Sequence, residues 1–306
     1  MNRILVIRGG AIGDFVLTLP AIKLLRDKYP QARLEILGYR HITALGEKRF
    51  YADALRSLES GPLARFFARD AVLPDVWVDY FASFDLVVSF LFDPDAIFER
   101  NVRRCGVETF LACSPLIRAE GEHATSQLAH PLRELDLVLA DGSAQLFPLP
   151  ADREFAQTSF ASEAAIAFHP GSGSPSKNWP LENWLALLEQ PQFRNSSIVL
   201  VGGEADRAQL QTLRALSRDN FRFAENLPLP HLAAVLERCR LFLGHDSGIS
   251  HLAAAVGTPS LLLFGPTDPK IWAPLNKNVH VARAKNGQLA KLKLEEIGEK
   301  IDALMS

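Results

Sequence analysis

Short apolar runs alternate with longer amphipathic segments along the first half of the chain. Arg3–Arg8 is such a run, and it leads through several glycines into a helical period over residues 15–28. Further runs at residues 34–37, 86–90 and 107–111 are typical of strands that are buried on both faces. Strands that alternate with helices in this way predict a parallel sheet with helices on both sides.

The alternation stops at residues 146–162, which contain Pro148 and Pro150 and show no strong apolar period. We interpret this stretch as the interdomain linker. The pattern then restarts, with predicted strands at residues 165–168, 197–201, 241–244 and 260–264 and predicted helices at residues 181–188, 205–216, 231–238 and 248–256.

A chain of 306 residues is long enough for one large domain or two medium ones. The repeated alternation favours two. We expect an α/β protein with two doubly wound, Rossmann-like domains, residues 1–150 and 151–306. An amphipathic segment at residues 292–304 is a candidate to pack back on the first domain.

Composition excludes some classes of function. A net charge of −2 gives no general attraction to nucleic acid. The three cysteines lack the paired spacing of a zinc site, which favours a reducing compartment. The apolar run at residues 4–7 is too short for a signal-peptide core, and no stretch reaches the roughly 18 apolar residues that span a bilayer. We therefore expect a cytoplasmic protein whose membrane contact, if any, is peripheral.

Ligands of open α/β sheets bind beyond the carboxyl ends of the strands, so the loops after the predicted strands are informative. The first is RGGAIGD, residues 8–14, whose glycines let the backbone turn tightly before a helix. Asp14 lies at the start of that helix, where a carboxylate is stabilised. It is either a helix cap or a catalytic residue. The loop matches neither a P-loop nor a dinucleotide-binding motif.

Two loops of the second half have features of a nucleotide site. HPGSGSPSKNWP, residues 169–180, combines small residues with Lys177 and is suited to a diphosphate, although a flexible connector has the same composition. Glu204 follows a strand and two glycines. It either accepts hydrogen bonds from a ribose or caps the next helix.

The fourth loop, GHDSGISH at residues 244–251, opens a predicted helix. Asp246 and Ser247 are residue types that cap helices, and the amides of Ser247 and Gly248 are free to bind an anion. His251 is either a ligand contact or a hydrogen-bonded residue of the core. This loop carries the strongest indication of an anion site.

Taken together, the pieces resemble glycosyltransferase family nine, which contains the ADP-heptose:lipopolysaccharide heptosyltransferases. The matching pieces, in order, are GD at 13–14, LTLP at 17–20, KNWP at 177–180, DSGISHLAA at 246–254, GTP at 257–259 and FGPTDP at 264–269. The resemblance extends over nearly the whole chain. It implies a GT-B fold, in which two doubly wound domains face a cleft, with the acceptor bound by the first domain and the nucleotide sugar by the second.

The resemblance also implies roles for particular residues. Asp14 corresponds to the family's catalytic base, and Lys177 to the lysine that contacts the donor diphosphate and supports catalysis. The remaining donor contacts that it implies are Ser172, Ser174, Glu204, Asp246, Ser247, Gly248 and His251. The loop at 169–180 is richer in glycine and serine than in many members, so phosphate binding is expected to rest more heavily on Lys177 and backbone amides.

The implied reaction is an inverting, metal-independent transfer of a sugar, heptose by the resemblance, from an ADP-sugar to a lipid-linked or lipopolysaccharide-core acceptor. We expect no cofactor. The D-x-D triplet at residues 93–95 contains a proline and is better explained as a turn or cap than as a metal site. An anionic acceptor is a candidate partner for Arg100, Arg103 and Arg104, although arginines on a solvated helix face are common.

Two other functions are compatible with the same loops. A sugar-nucleotide epimerase of GT-B fold would use the donor site without an acceptor. A non-catalytic sugar-nucleotide binding protein would keep Lys177 and Asp246 and would not need Asp14.

Overall fold

The computed structural model describes residues 1–160, 164–216 and 218–305. Its contacts divide the chain into two compact units, Met1–Gly142 and Ser143–Ser306. The sequence placed the domain boundary at residue 150, within the segment that was interpreted as a linker.

The first unit is built on a parallel sheet of five strands in its described residues. The strands are β1 (Arg3–Arg8), β2 (Arg33–Gly38), β3 (Ala54–Ser57), β4 (Leu86–Phe90) and β5 (Thr109–Ala112), and the helices are α1 (Ile12–Lys28), α2 (Arg40–Thr43), α3 (Asp75–Ala82), α4 (Ile97–Arg104) and α5 (Ala124–Ala129). The spatial order is β3-β2-β1-β4-β5. The winding direction therefore reverses between β1 and β4, and the loop with Asp14 follows β1 at this switch point.

The core of the first unit contains an aromatic cluster beside the sheet. Phe66, Trp77, Phe81 and Phe98 are buried, and they pack with apolar residues of β1 and β4. The apolar strands and the aromatic side chains of the helices form the core of the unit, and aromatic side chains bury large apolar surfaces. The carboxyl ends of the strands are left to the loops.

The second unit is built on a parallel sheet of six strands in its described residues. The strands are β6 (Ile166–Phe168), β7 (Ile198–Gly202), β8 (Phe221–Glu225), β9 (Leu241–His245), β10 (Ser260–Phe264) and β11 (Val279–Arg283), and the helices are α6 (Pro150–Ser159), α7 (Leu181–Leu188), α8 (Pro191–Arg194), α9 (Arg207–Arg214), α10 (Leu229–Glu237), α11 (Gly248–Ala255), α12 (Pro269–Trp272) and α13 (Leu294–Met305). The order is β11-β10-β9-β6-β7-β8. The switch point lies between β6 and β9, and the loops with Lys177 and Asp246 follow these two strands.

The segment interpreted as a linker contains α6, so that interpretation is wrong for residues 150–159. The helix packs on α10, with the ring of Phe155 stacked on His231 at a centroid distance of 4.1 Å. Arg153 pairs with Glu237 on the same surface. The apolar period of α6 is weak in the sequence because the helix buries few of its residues, among them Ala156. Ala161 and Ser162, at the end of the predicted linker, lie outside the described residues.

The last helix, α13, belongs to the second unit. Ile297 and Ile301 are fully buried in the core of that unit, and the helix packs on α7. The sequence had offered the first domain as its packing surface.

The three cysteines lie in the interior of the two units. Cys105, Cys113 and Cys239 are buried and unpaired, and burial raises the pKa of each thiol, to about 11, about 12 and about 12. Within the described ranges, no helix is both long and apolar enough to cross a membrane.

Candidate active site

Asp14 lies in the first turn of α1, directly after the glycine turn that ends β1. Its Oδ2 accepts a hydrogen bond from the N–H of Ala11 at 2.8 Å, so the carboxylate does cap the helix. Gly10 adopts a φ of +91°, and a Cβ there would lie 2.6 Å from Asp14 Oδ2. The turn therefore needs glycine at this position for two reasons, the left-handed backbone and the space that the carboxylate occupies.

Arg8, which the sequence analysis did not single out, lies beneath Asp14. Its side chain is 3% exposed, whereas that of Asp14 is 37% exposed, and Nη2 of Arg8 is 3.5 Å from Oδ1 of Asp14. The guanidinium also donates to Thr18 Oγ1 at 2.9 Å. Burial lowers the pKa of Arg8, and the charge of Asp14 acts in the opposite direction. The pair presents a carboxylate to solvent and holds it from below with a buried cation.

The three arginines offered as acceptor contacts lie on α4. Arg103 pairs with Glu99 at 2.9 Å and donates to the carbonyl of Phe110 at 2.9 Å. Arg104 donates to Asn101 Oδ1 at 2.9 Å, and Arg100 is exposed. Two of the three thus have partners within the fold, and an acceptor role for all three stays a prediction.

In the second unit, the loops after β6 and β9 bring two of the predicted donor residues into direct contact. The Nζ of Lys177 lies 2.6 Å from Oδ2 of Asp246. Thr267, in the loop after β10, donates to the same oxygen at 2.7 Å. The carboxylate is buried and the lysine side chain is 30% exposed, so the cation is the partner that faces solvent.

The start of α11 lies next to this pair. Ser247 is the N-cap residue, and its Oγ accepts a hydrogen bond from the N–H of Ser250 at 3.4 Å. Ser247 and Gly248 are partly exposed, so the first amides of the helix are accessible. Free amides and the positive end of the helix dipole beside a lysine form a site with affinity for anions.

A buried chain of polar groups supports the N-cap. Oγ of Ser247 lies 3.3 Å from Nδ1 of His169, and Nε2 of His169 lies 3.3 Å from Oδ2 of Asp206. Asp206 also accepts a hydrogen bond from the N–H of Gly203 at 2.9 Å. Burial acts to raise the pKa of Asp206, but the hydrogen bonds and the charge of His169 outweigh it and hold the pKa below its ordinary value. The chain joins the ends of β6, β7 and β9.

The carboxylate of Asp206 also leaves no space for a side chain at position 171. A Cβ on Gly171 would lie 1.6 Å from Oδ1 of Asp206, far inside any real contact. Glycine at the start of the loop is therefore a steric requirement of the carboxylate that packs on it.

The remaining predicted donor residues have mixed environments. Ser172 donates from Oγ to Asn178 Oδ1 at 2.6 Å, and Ser174 contacts Ser176, so both serines contribute to the internal structure of the loop. Glu204 is exposed in a short helical turn after β7, and His251 is buried in α11. Donor contacts of these four residues stay predictions.

Sequence reasoning missed the supporting residues of the second unit. His169 and His245 were quoted inside motifs without a role, and Asp206 was not quoted. His169 directly follows the apolar run of β6 and His245 ends that of β9, and this position at strand ends is the signal in the sequence. Both are buried, and only the strand order brings them together.

In the described part of the chain, no group of three or more His, Cys, Asp or Glu side chains is arranged to hold a metal ion.

Two doubly wound parallel sheets, each with polar loops at its switch point, are the architecture of the GT-B glycosyltransferases. The model of glycosyltransferase family 9 (heptosyltransferase) matches residues 123–301. The chain belongs to this family and is a glycosyltransferase. The matched range includes Lys177 and Asp246 but not Asp14.

Similarity to individual proteins agrees with the family. The chain is 24% identical to lipopolysaccharide heptosyltransferase 2 of Salmonella typhimurium, in a match that covers 93% of this chain and 89% of that protein. It is 32% identical to lipooligosaccharide heptosyltransferase 2 of Haemophilus ducreyi over 48% of this chain and 45% of the relative. The solved structure of E. coli ADP-heptose lps heptosyltransferase II superposes with a TM-score of 0.77 at 19% identity, covering 100% of this chain and 98% of that one. The last comparison confirms the GT-B fold.

Proposed function

We propose that the chain transfers a heptosyl group from ADP-heptose to a lipid-linked saccharide of the lipopolysaccharide core, with inversion at the anomeric carbon and without a metal ion or other cofactor. The relatives support the donor and the acceptor class, since they are lipopolysaccharide and lipooligosaccharide heptosyltransferases and one of them is an ADP-heptose enzyme.

The observation that carries this proposal is the contact between Lys177 and Asp246 at the start of α11. A departing ADP carries negative charge on its diphosphate, and a lysine with the free amides of Ser247 and Gly248 stabilises such a charge. A divalent ion can serve the same purpose in other enzymes, and here a fixed cation and a helix terminus take its place. Asp246 orients Lys177 before the donor arrives and then faces the sugar.

In the proposed reaction the acceptor hydroxyl attacks the anomeric carbon on the side opposite the diphosphate. The new bond joins the acceptor oxygen to the sugar, the bond from the sugar to the phosphate oxygen breaks, and its electron pair leaves with ADP. Asp14 accepts the hydroxyl proton as general base. The buried guanidinium of Arg8 keeps the carboxylate in place on its glycine turn.

The acceptor class bears on location. A saccharide carried on a membrane lipid has to be met at the bilayer surface, so we place the enzyme at the cytoplasmic face of the inner membrane in peripheral contact. Flotation with vesicles that carry the acceptor lipid tests this placement, and failure to float with them would contradict it.

The activity is tested with purified protein, ADP-heptose and a heptose-deficient lipopolysaccharide core. Mass spectrometry should show one added heptosyl unit, and NMR should show the inverted anomeric configuration. Excess EDTA should leave the rate unchanged, whereas a loss that magnesium restores would refute metal independence. Donor incubated without acceptor should stay intact. Isomerised donor in that incubation would indicate an epimerase. Donor that does not react either with or without acceptor would indicate a non-catalytic binding protein.

A further inference from the structure

His245, the last residue of β9, is completely buried, and both of its ring nitrogens have backbone partners. Nε2 lies 2.8 Å from the backbone nitrogen of Trp179, and Nδ1 lies 3.0 Å from the carbonyl oxygen of Gly171. The ring packs edge-on against Trp184 at a centroid distance of 5.4 Å. A backbone N–H only donates and a carbonyl only accepts, so the proton is on Nδ1 and the lone pair on Nε2.

The two backbone partners lie at the two ends of one loop. Gly171 is at its start and Trp179 at its end, and the loop between them carries Lys177. A single imidazole therefore joins both ends of this loop to the end of β9. The residue after His245 is Asp246, the partner of Lys177. His245 is thus next in sequence to one member of the ion pair, and its ring is hydrogen-bonded to both ends of the loop that carries the other.

The ring is neutral in this setting. Burial is the main cause that lowers the pKa of His245 to about 4, with His169 acting in the same direction. The hydrogen bond to Gly171 and the charges of Asp206 and Asp246 act in the opposite direction without reversing the shift. A neutral ring keeps the lone pair that accepts the Trp179 N–H, and a protonated ring would lose it.

We propose that His245 is a positioning residue of the donor site, whose neutral ring fastens the loop at residues 171–179 to β9 and thereby places Lys177 against Asp246 and towards the donor diphosphate. This inference rests on the proposed function and deepens it, because it names a residue that determines donor affinity without touching the donor. His245 acts through Lys177.

The test is a double-mutant cycle with ADP as the probe, measured by calorimetry on the full chain. His245→Phe keeps a ring of similar size against Trp184 and removes both hydrogen bonds. It should weaken ADP binding about tenfold or more, since the loop is no longer held. In the Lys177→Ala background the same substitution should change ADP affinity less than about threefold, because the group through which it acts is missing.

Partial rescue separates positioning from a general loss of structure. His245→Asn keeps an amide nitrogen that can donate to the carbonyl of Gly171. His245→Gln keeps an amide oxygen that can accept from the N–H of Trp179. Both variants should therefore bind ADP more tightly than His245→Phe. These two variants also carry the cycle if His245→Phe does not fold. His231→Phe is the matched control: this histidine stacks on Phe155 at the surface of α6 and α10, and its substitution should leave ADP affinity unchanged.

The outcomes distinguish this inference from the proposed function. Wild-type protein that binds no ADP would contradict the proposed function. Wild-type protein that binds ADP, with equally tight binding by His245→Phe, would overturn the positioning role. Additive losses from His245→Phe and Lys177→Ala would also overturn it, because His245 would then act independently of the lysine.

Discussion

Arg8 Nη2 lies 3.5 Å from Asp14 Oδ1, and of these two side chains only the carboxylate reaches solvent. The arrangement makes capping and catalysis separable properties of one residue. Capping uses Oδ2 and the N–H of Ala11, whereas a general base needs an accessible oxygen that accepts a proton.

We therefore predict that Asp14→Asn reduces turnover about a hundredfold to ten-thousandfold while ADP-heptose affinity and the melting temperature change little. The amide retains an oxygen for the Ala11 N–H, but it does not take up the acceptor proton. Steady-state kinetics and thermal melting measure the two properties. Asp27→Asn, on the same helix in an exposed pair with Lys23, should have normal turnover. Turnover within a few-fold of wild type in Asp14→Asn would reduce Asp14 to a cap.

Substitutions of Lys177 and Asp246 should change the affinities for ADP and ADP-heptose in different ways. Lys177→Ala removes the cation for the diphosphate, so both ADP and ADP-heptose should bind about tenfold more weakly or worse. Asp246→Asn removes the carboxylate that we propose to face the sugar, so it should weaken ADP-heptose binding more than ADP binding. Calorimetry with both ligands measures this difference. Lys270→Ala, at an exposed lysine of α12, serves as the control. Equal affinity of wild type and Lys177→Ala for ADP would show that the diphosphate binds elsewhere.

Gly171→Ala should destabilise the second unit by about 1 to 3 kcal/mol and weaken ADP binding. The added methyl group meets Asp206 at 1.6 Å, so the carboxylate has to move and its bond to His169 is lost. Urea unfolding measures the effect. Gly203→Ala is the matched control, since its Cβ would lie 3.9 Å from Asn226 Oδ1, an ordinary van der Waals distance. Only small losses are expected there. Equal stability of the two variants would contradict this account of Gly171.

The lowered pKa of His245 leads to a prediction of how the free energy of unfolding depends on pH. Its folded pKa of about 4 lies below the ordinary value of 6.5, so between these values the unfolded chain binds a proton that the folded chain does not. The free energy of unfolding should be constant above about pH 7 and fall by about 3 kcal/mol as the pH drops from about 6.5 to about 4. Asp206 has a lowered pKa and loses its contribution at still lower pH. Urea titrations from pH 7.5 to 4.5 measure the slope, and His245→Phe should flatten it; an unchanged slope in that variant would assign the effect to other groups.

The sequence predicted the central strands and missed three of the edge strands. β1, β4, β9 and β10 are covered on both faces and read as continuous apolar runs. β3, β8 and β11 lie at the edges of the sheets and are only partly buried, as in the FRFAE sequence of β8, where Arg222 is exposed. A half-exposed edge strand of four or five residues has no apolar run from which to recognise it.

The candidate site was predictable to the extent that its residues stand in loops after central strands. Lys177, Asp246 and Ser247 were identified in this way, and the structure places them next to one another. The contacts of Arg8 and His245 were not predictable, because their partners are backbone groups or side chains that only the folded turn or the strand order brings close. A buried histidine in a sequence does not reveal which carbonyl it binds.

The position of α6 has a practical consequence for dissecting the molecule. A fragment that starts at residue 151 would begin inside this helix and would lack Leu149, whose N–H bonds to Asp152 Oδ2 in its first turn. It would also lack Leu146, whose N–H donates to the carbonyl of Ala255 at the end of α11. A recombinant second unit should therefore start at Ser143. Limited proteolysis of the full chain should cut before this residue in preference to cutting within residues 146–159.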